Sequence, residues 1–282
     1  MQKESLKLNN IFLKKNFSLI VLSCDKFYDT WKPLIYSFKR YWPNCPINRY
    51  FLTNKKSCVS NFFLNVKVGN DQDWSTNLIN ALKKIKTKYI ILWIDDAFLV
   101  SPVDNKKLIK DFRWCVSVNA DYLRLTNFSK YINYFSTEYS LIDNNHPYRT
   151  SIFASIWRID VLKKLIIRGE NPWQFELRGS LRSHNFKKFY SVNSSRFQHI
   201  HGIEQGVWLR NAVRWIKKNK LFIDLDYRPQ MSQTKSLLRD ILQFKSFFLN
   251  IFSANIQKKL LFCAQKIYLF LGFRHKNFYK NK

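Results

Sequence analysis

Two adjacent carboxylates, Asp95 and Asp96, close a run of β-branched and aromatic residues from Tyr89 to Ile94. Apolar residues resume from Phe98 to Val100 and stop at Ser101-Pro102. A continuous apolar run reads as a strand buried on both faces, as a parallel sheet requires. Neighbouring carboxylates repel, and a buried charge is costly unless paired. A bound cation accounts for both facts, and ligands in open α/β sheets sit at the carboxyl ends of strands. A solvated turn is the plainer alternative. The pair suits a hard divalent cation, Mg²⁺ or Mn²⁺. Such an ion can clamp a diphosphate and neutralise its charge as it departs. Adjacent strand residues point to opposite faces. One acid is therefore expected on the metal and the other on a sugar hydroxyl or a backbone amide.

Other residues offer chemistry that this pair would need. Trp173-Gln174-Phe175-Glu176 sets a carboxylate among large apolar side chains. Desolvation there would raise its pKa toward that of a general base, able to accept a hydroxyl proton. The alternative is a surface loop with Glu176 paired to Arg178 or Arg182. His199 and His201 share one face of a strand, and an imidazole such as His201 is an acceptable Mn²⁺ ligand, although a satisfied structural histidine is the commoner outcome. Asp25, at the end of the first strand, could accept from a nucleobase or ribose, or cap a helix. Asp71, Asp73 and Trp74 precede a helix and could line the same crevice, or serve as ordinary loop and cap residues.

Alternating strands and helices must position these groups. Phe17 to Ser23 reads as a first strand, Tyr28 to Tyr41 as a helix, Arg49 to Thr53 and Asn65 to Val68 as further strands. Ser75 or Thr76 can cap the next helix, whose Leu78, Ile79, Leu82 and Ile85 share a face. Short connections imply βαβ units and a mostly parallel sheet. Neither G-x-G-x-x-G nor a Walker A lysine loop is present. Later, SIWRIDVLKKLI reads as a strand passing into a helix near Asp160, and Gly169 and Pro172 break that helix. Phe189 to Val192 reads as a strand, Glu204 to Lys217 as a helix, and Leu237 to Phe273 as a basic helical segment.

The 282 residues carry a formal charge of +29, with 46% hydrophobic and 17% aromatic residues, so the chain can bury a core. From Met231 to Lys282 there are ten Lys or Arg against one acid, Asp240. Phe247, Phe248, Ile251, Leu261 and Phe262 mixed with Lys258, Lys259 and Lys266 suit a helix lying on anionic lipid, or else a packed helical hairpin with a solvated basic face. Five cysteines without a CxxC pair point to a reducing compartment and away from structural zinc. No stretch of about 18 uncharged apolar residues suggests a membrane span. The apolar run Phe17 to Leu22 is short for a secretion signal.

Four segments in order, VLSCDKFYD, GNDQDWSTNLINALKKIKTKYIILWIDDAFLVSPVD, SIWRIDVLKKLI and ENPWQFELRGSLRS, resemble bacterial glycosyltransferases of the GT-A fold from lipopolysaccharide and capsule gene clusters. The resemblance covers roughly residues 17 to 210. It implies an α/β, Rossmann-like, mostly parallel central sheet flanked by helices, within a nucleotide-sugar glycosyltransferase domain over residues 1–230. A basic amphipathic tail occupies 231–282. The implied reaction moves a sugar from a nucleotide-diphosphate donor to a glycan or lipid-linked acceptor, with a divalent cation. By likeness Asp96 holds the metal, Asp95 lies near the donor ribose, Glu176 is the acceptor-side base, and Asp25 lies near the nucleobase. Arg178 or Arg182 would meet charge developing on the diphosphate. Asp95-Asp96-Ala97 is not a D-x-D triplet; Ile94-Asp95-Asp96 fits a looser x-D-D form. The expected location is cytoplasmic, peripheral at the inner face of the cytoplasmic membrane through the tail.

Two rival readings stand beside this one. A degenerate, scaffolding relative would keep the fold without the chemistry. A nucleic-acid-binding protein has the charge and the aromatics, but it lacks a recognisable module and leaves two carboxylates ending a buried strand unexplained. Nucleic acid is therefore the disfavoured partner.

Overall fold

A computed structural model describes residues 11–127, 132–146 and 148–249. The chain divides into two compact units, Met1–Arg228 and Pro229–Lys282. In the first unit, β1 (Phe17–Leu22) is buried along its whole length, as is β4 (Tyr89–Ile94) apart from half-buried Ile94. These two strands pair in parallel from Phe17↔Tyr89 to Leu22↔Ile94. They are interior members, third and fourth, of a nine-stranded sheet of order β3-β2-β1-β4-β9-β6-β10-β8-β7. The other members are β2 (Asn48–Thr53), β3 (Leu64–Lys67), β6 (Tyr122–Arg124), β7 (Ile132–Tyr134), β8 (Tyr139–Ile142), β9 (Ser155–Arg158) and β10 (Phe189–Val192). Only β8 and β9 run against the rest. The expected mostly parallel α/β sheet flanked by helices is what the chain forms.

Alternation along the strands sends side chains to two covered faces. Ile20, Leu22, Ile90 and Leu92 pack with Leu78 and Leu82 of α2 (Trp74–Lys84), Leu162 of α4 (Ile159–Leu165) and Phe175 of α5 (Pro172–Arg182). On the other face, Phe38 of α1 (Tyr28–Tyr41) meets the rings of Phe63 and Trp93. Phe17 stacks on Phe112 of α3 (Asn105–Ser117). Two small ribbons complete this unit. β5 (Ala97–Leu99) pairs with β11 (His199–His201), and β12 (Ile203–Glu204) forms a hairpin with β13 (Val207–Trp208). Next in the chain is α6 (Arg210–Lys218).

Several local expectations shift. The cap of α2 is Asp73, not Ser75 or Thr76, because its side chain accepts from the Thr76 amide. Pro172 opens a helix instead of only breaking one. It occupies the first turn of α5, where its missing N–H costs nothing, behind an Asn171–Gln174 capping box. The helix expected from Glu204 is first a hairpin: Gln205 (φ +50°) and Gly206 (φ +80°) make the two-residue left-handed turn, and α6 begins only at Arg210. In the second unit the described residues form α7 (Gln233–Leu249). The tail residues from 250 onward, including Ile251, Lys258, Lys259, Leu261, Phe262 and Lys266, lie outside the described residues. Among the described residues, no helix is long and apolar enough to cross a membrane.

Candidate functional site

From β1 the chain moves outward through β2 and β3, then returns to β4 on the other side of β1. The carboxyl ends of β1 and β4 therefore flank a topological switch point, where helical connections diverge and leave a crevice. A cavity of about 630 Å³ opens there. Its walls include Ser23, Lys26, Asp71, Trp74, Asp95 and Asp96, together with Gln205 and Gly206 from the hairpin tip. Both carboxylates of the IDD run thus face one pocket.

They do so because the strand ends at Ile94, and Asp95-Asp96 form the turn into β5. The strand geometry that would send them to opposite faces no longer applies. The Trp93 indole N–H donates to the Ala97 carbonyl at 2.9 Å and ties the turn off. The amide of Gly202 donates to the Asp96 carbonyl at 2.5 Å, and that of Ile203 to Asp96 Oδ2 at 3.2 Å. Gly202 is required by this closeness. A Cβ there would lie 2.9 Å from the Phe98 ring and 3.1 Å from the Asp96 carbonyl oxygen.

Asp95 is only 8% exposed. The Trp31 indole donates to Ser23 Oγ at 2.7 Å, and Ser23 in turn donates to Asp95 Oδ2. Burial, with the neighbouring charge of Asp96, pushes the Asp95 carboxyl well above its usual range, against the Ser23 hydrogen bond. Asp96 is raised as well, chiefly by burial, with His201 and the Ile203 amide acting in the opposite direction. His201 is exposed, and its strand β11 runs beside β5 in the register His201↔Ala97. His201 is not itself a wall residue, but it is near enough to lower the Asp96 pKa. A carboxylate on the pocket wall, an imidazole close to it and a second carboxyl beside them are fitting donors for Mg²⁺ or Mn²⁺. Among the described residues no group of three or more His, Cys, Asp or Glu is arranged to hold an ion by itself. Ligand oxygens or water would have to complete the shell.

The far wall is a hydrogen-bonded cluster. Asn54, 4% exposed, and Asn77 both donate to Asp71 Oδ1, at 3.3 and 2.8 Å. Asp73 accepts from Ser75 Oγ at 2.6 Å, the Thr76 amide at 2.9 Å and the Gly169 amide at 3.1 Å. Burial by itself would raise the Asp73 carboxyl, but these donors outweigh it and hold it at about 2. Trp74 lies beside Phe175, ring centroids 5.5 Å apart.

Asp25 stands next to the pocket with its carboxylate already engaged. Oδ1 accepts the Asn54 amide at 3.0 Å, and Oδ2 accepts those of Lys55 and Lys56 at 3.0 and 2.9 Å. Burial opposes these amides, yet they lower its pKa. Its part is to tie the end of β1 to the end of β2. The two arginines do not meet the pocket. Arg182 forks onto Glu170, at 2.8 and 2.6 Å, and donates to the Leu165 carbonyl, so its guanidinium is spent on holding α5 to the loop before it. Arg178 is exposed on α5 and away from the pocket walls. Glu176 lies on α5, not on a surface loop, and pairs with neither arginine. Its Oε1 accepts the Ile152 amide at 3.0 Å, and the side chains of Ile152 and Pro172 line the pocket.

One constituent gave no signal in the sequence. Arg228, 9% exposed, forks onto Asp29 at 2.6 and 3.1 Å. It also donates to the carbonyls of Lys26, at 3.2 Å, and Gly206, at 3.3 Å, and its guanidinium lies 4.6 Å from the Phe27 ring. This side chain joins two pocket walls whose residues lie about 180 positions apart in the chain. No local spacing could announce it.

No family model and no curated protein matches the sequence. Among solved structures the chain is similar to S. aureus TarS 1–349 in complex with UDP-GlcNAc, with 12% identity and a TM-score of 0.46. The match covers 68% of this chain and 59% of that one, so the chain spans about three fifths of that structure's length. It is also similar to UDP-glucose pyrophosphorylase complexed with UDP-glucose, with 9% identity, a TM-score of 0.46, and coverage of 65% of this chain and 92% of that one. Similarity at this level carries no argument about chemistry, which rests on the pocket itself.

Proposed function

We propose that this chain transfers a sugar from a nucleoside-diphosphate sugar to a glycan or lipid-linked acceptor. The observation that carries this reading is the pair Asp95-Asp96, turned together into a cavity of about 630 Å³ at the switch point of the sheet. Two carboxyls whose burial disfavours the charged state are suited to a ligand that brings its own cation. Asp96 and His201 would hold that divalent ion, with Asp95 behind them; when bound, it would offset the negative charge of the diphosphate. Asp95, fixed through Ser23 and Trp31, would accept from a ribose hydroxyl. Trp74 and the Asp71–Asn77 cluster would face the nucleoside or the sugar, taking over the part the sequence assigned to Asp25. Lys26, exposed at the rim, would pair with phosphate. Glu176 remains the candidate base, because the Ile152 amide fixes one of its oxygens beside a residue of the pocket wall. It would take the proton of the acceptor hydroxyl as that oxygen bonds to the anomeric carbon and the nucleoside diphosphate leaves.

The test is thermal shift with UDP, GDP, CMP and dTDP, each with and without Mn²⁺, on wild type and Asp96→Ala. The expected outcome is stabilisation by one nucleotide that depends on the metal and vanishes in the variant. A well-folded protein stabilised by none of the four would overturn the reading.

A further inference from the structure

Helix α5 carries apolar residues on the face turned away from the core. Phe175, Gly179 and Ser180 are buried, yet Trp173, Leu177 and Leu181 are 58%, 40% and 68% exposed. Their spacing of four residues makes them a single outward stripe, where a surface helix ordinarily places polar side chains. The exposed charge on α5 and on the segments flanking it in the chain is mostly positive. Lys163, Lys164, Arg168, Arg178 and Lys187 are exposed. The three carboxylates of the same segments each have a partner, Asp160 with Arg158, Glu170 with Arg182 and Glu176 with the Ile152 amide. Tryptophan and leucine on one face of a helix, with exposed cations on that helix and on the segments flanking it in the chain, is the make-up of a helix that lies in a bilayer interface. Anionic headgroups attract each cation held near them.

We infer that the outward face of α5 docks on an anionic lipid bilayer, with Trp173, Leu177 and Leu181 entering the headgroup layer. This surface belongs to the first unit. Helix α5 begins at Pro172, which lines the pocket, and bears Glu176 one turn later. Docking therefore holds a residue of the pocket wall, Pro172, next in the chain to one that enters the headgroup layer. Resting on the transferase reading, the acceptor class is then a lipid-linked glycan held at that surface.

The experiment is co-sedimentation of the full chain with phosphatidylcholine vesicles, with and without phosphatidylglycerol. Wild type is compared with W173Q/L177Q/L181Q and with the tail variant K258Q/K259Q/K266Q. Wild type should sediment with the anionic vesicles only. The α5 variant should lose about tenfold or more in partitioning, and the tail variant should retain the contribution of α5. Trp173→Gln alone, a milder change on an exposed face, should lose several-fold. Equal binding by wild type and the α5 variant would overturn the inference, as would failure of wild type to bind anionic vesicles. So would a lipid-free dimer that the α5 variant dissolves, since a second copy would then cover the stripe. Nucleotide-induced thermal shift should be unchanged in the α5 variant. Its absence from wild type would count against the transferase reading and leave docking standing.

Discussion

Replacing Arg228 by alanine removes a side chain that ties the hairpin tip to the segment after β1. The arithmetic comes from burial. The side chains of Arg228 and Asp29 are 10% and 3% exposed and meet at 2.6 Å. Deleting the cation leaves a nearly dry carboxylate without its partner, which costs about 3–5 kcal/mol. For a folded unit of this size that corresponds to a Tm lower by about 10 °C. The Lys26 and Gly206 carbonyls lose a donor as well, so two pocket walls loosen and nucleotide affinity should fall. Urea unfolding followed by tryptophan fluorescence measures the first effect, and nucleotide titration the second. The double variant D29N/R228M removes both charges, and it should recover most of the stability but not the affinity. A loss below about 1 kcal/mol in Arg228→Ala, or strictly additive effects in the D29N, R228M and double-variant cycle, would refute the clamp.

The pocket geometry sets three further expectations. Gly202→Ala should drive its new Cβ against the Phe98 ring and the Asp96 carbonyl and so displace the Asp95-Asp96 turn, lowering nucleotide affinity while the protein still folds; titration of the purified variant checks this. Arg182→Gln should cost about 1–3 kcal/mol through the Glu170 fork and leave nucleotide affinity unchanged, whereas a direct phosphate ligand would lose both. Asp73→Ala should cost about 1 kcal/mol as a lost helix cap. Asp73→Asn keeps the cap and isolates the charge: because the folded pKa, about 2, lies below the usual 3.8, the ionised form stabilises fully above 3.8. That contribution is lost as pH falls through about 2. The stability gap between wild type and Asp73→Asn in urea should therefore be widest near neutrality and close between those two values.

Periodicity and composition alone determined much of this protein. The boundaries of α1 and β10 are legible because apolar spacing is a local property of the chain, and Tyr89–Ile94 reads as a central strand because both its faces must be covered. The acid pair was visible for a related reason: charge at the end of such a strand needs an external explanation. Tertiary structure decided how those acids are used. The turn into β5, tied off by Trp93 and Gly202, aims both carboxyls into one pocket, and no local pattern encodes a contact across about 100 residues. Long-range pairing likewise took Arg182 to Glu170 and Asp25 to the amides after β2, removing them from the pocket, and brought in Arg228, whose partners Asp29 and Gly206 are distant in the chain. A side chain's type limits which bonds it can make, but competition among all the groups the fold brings within reach decides which bond forms.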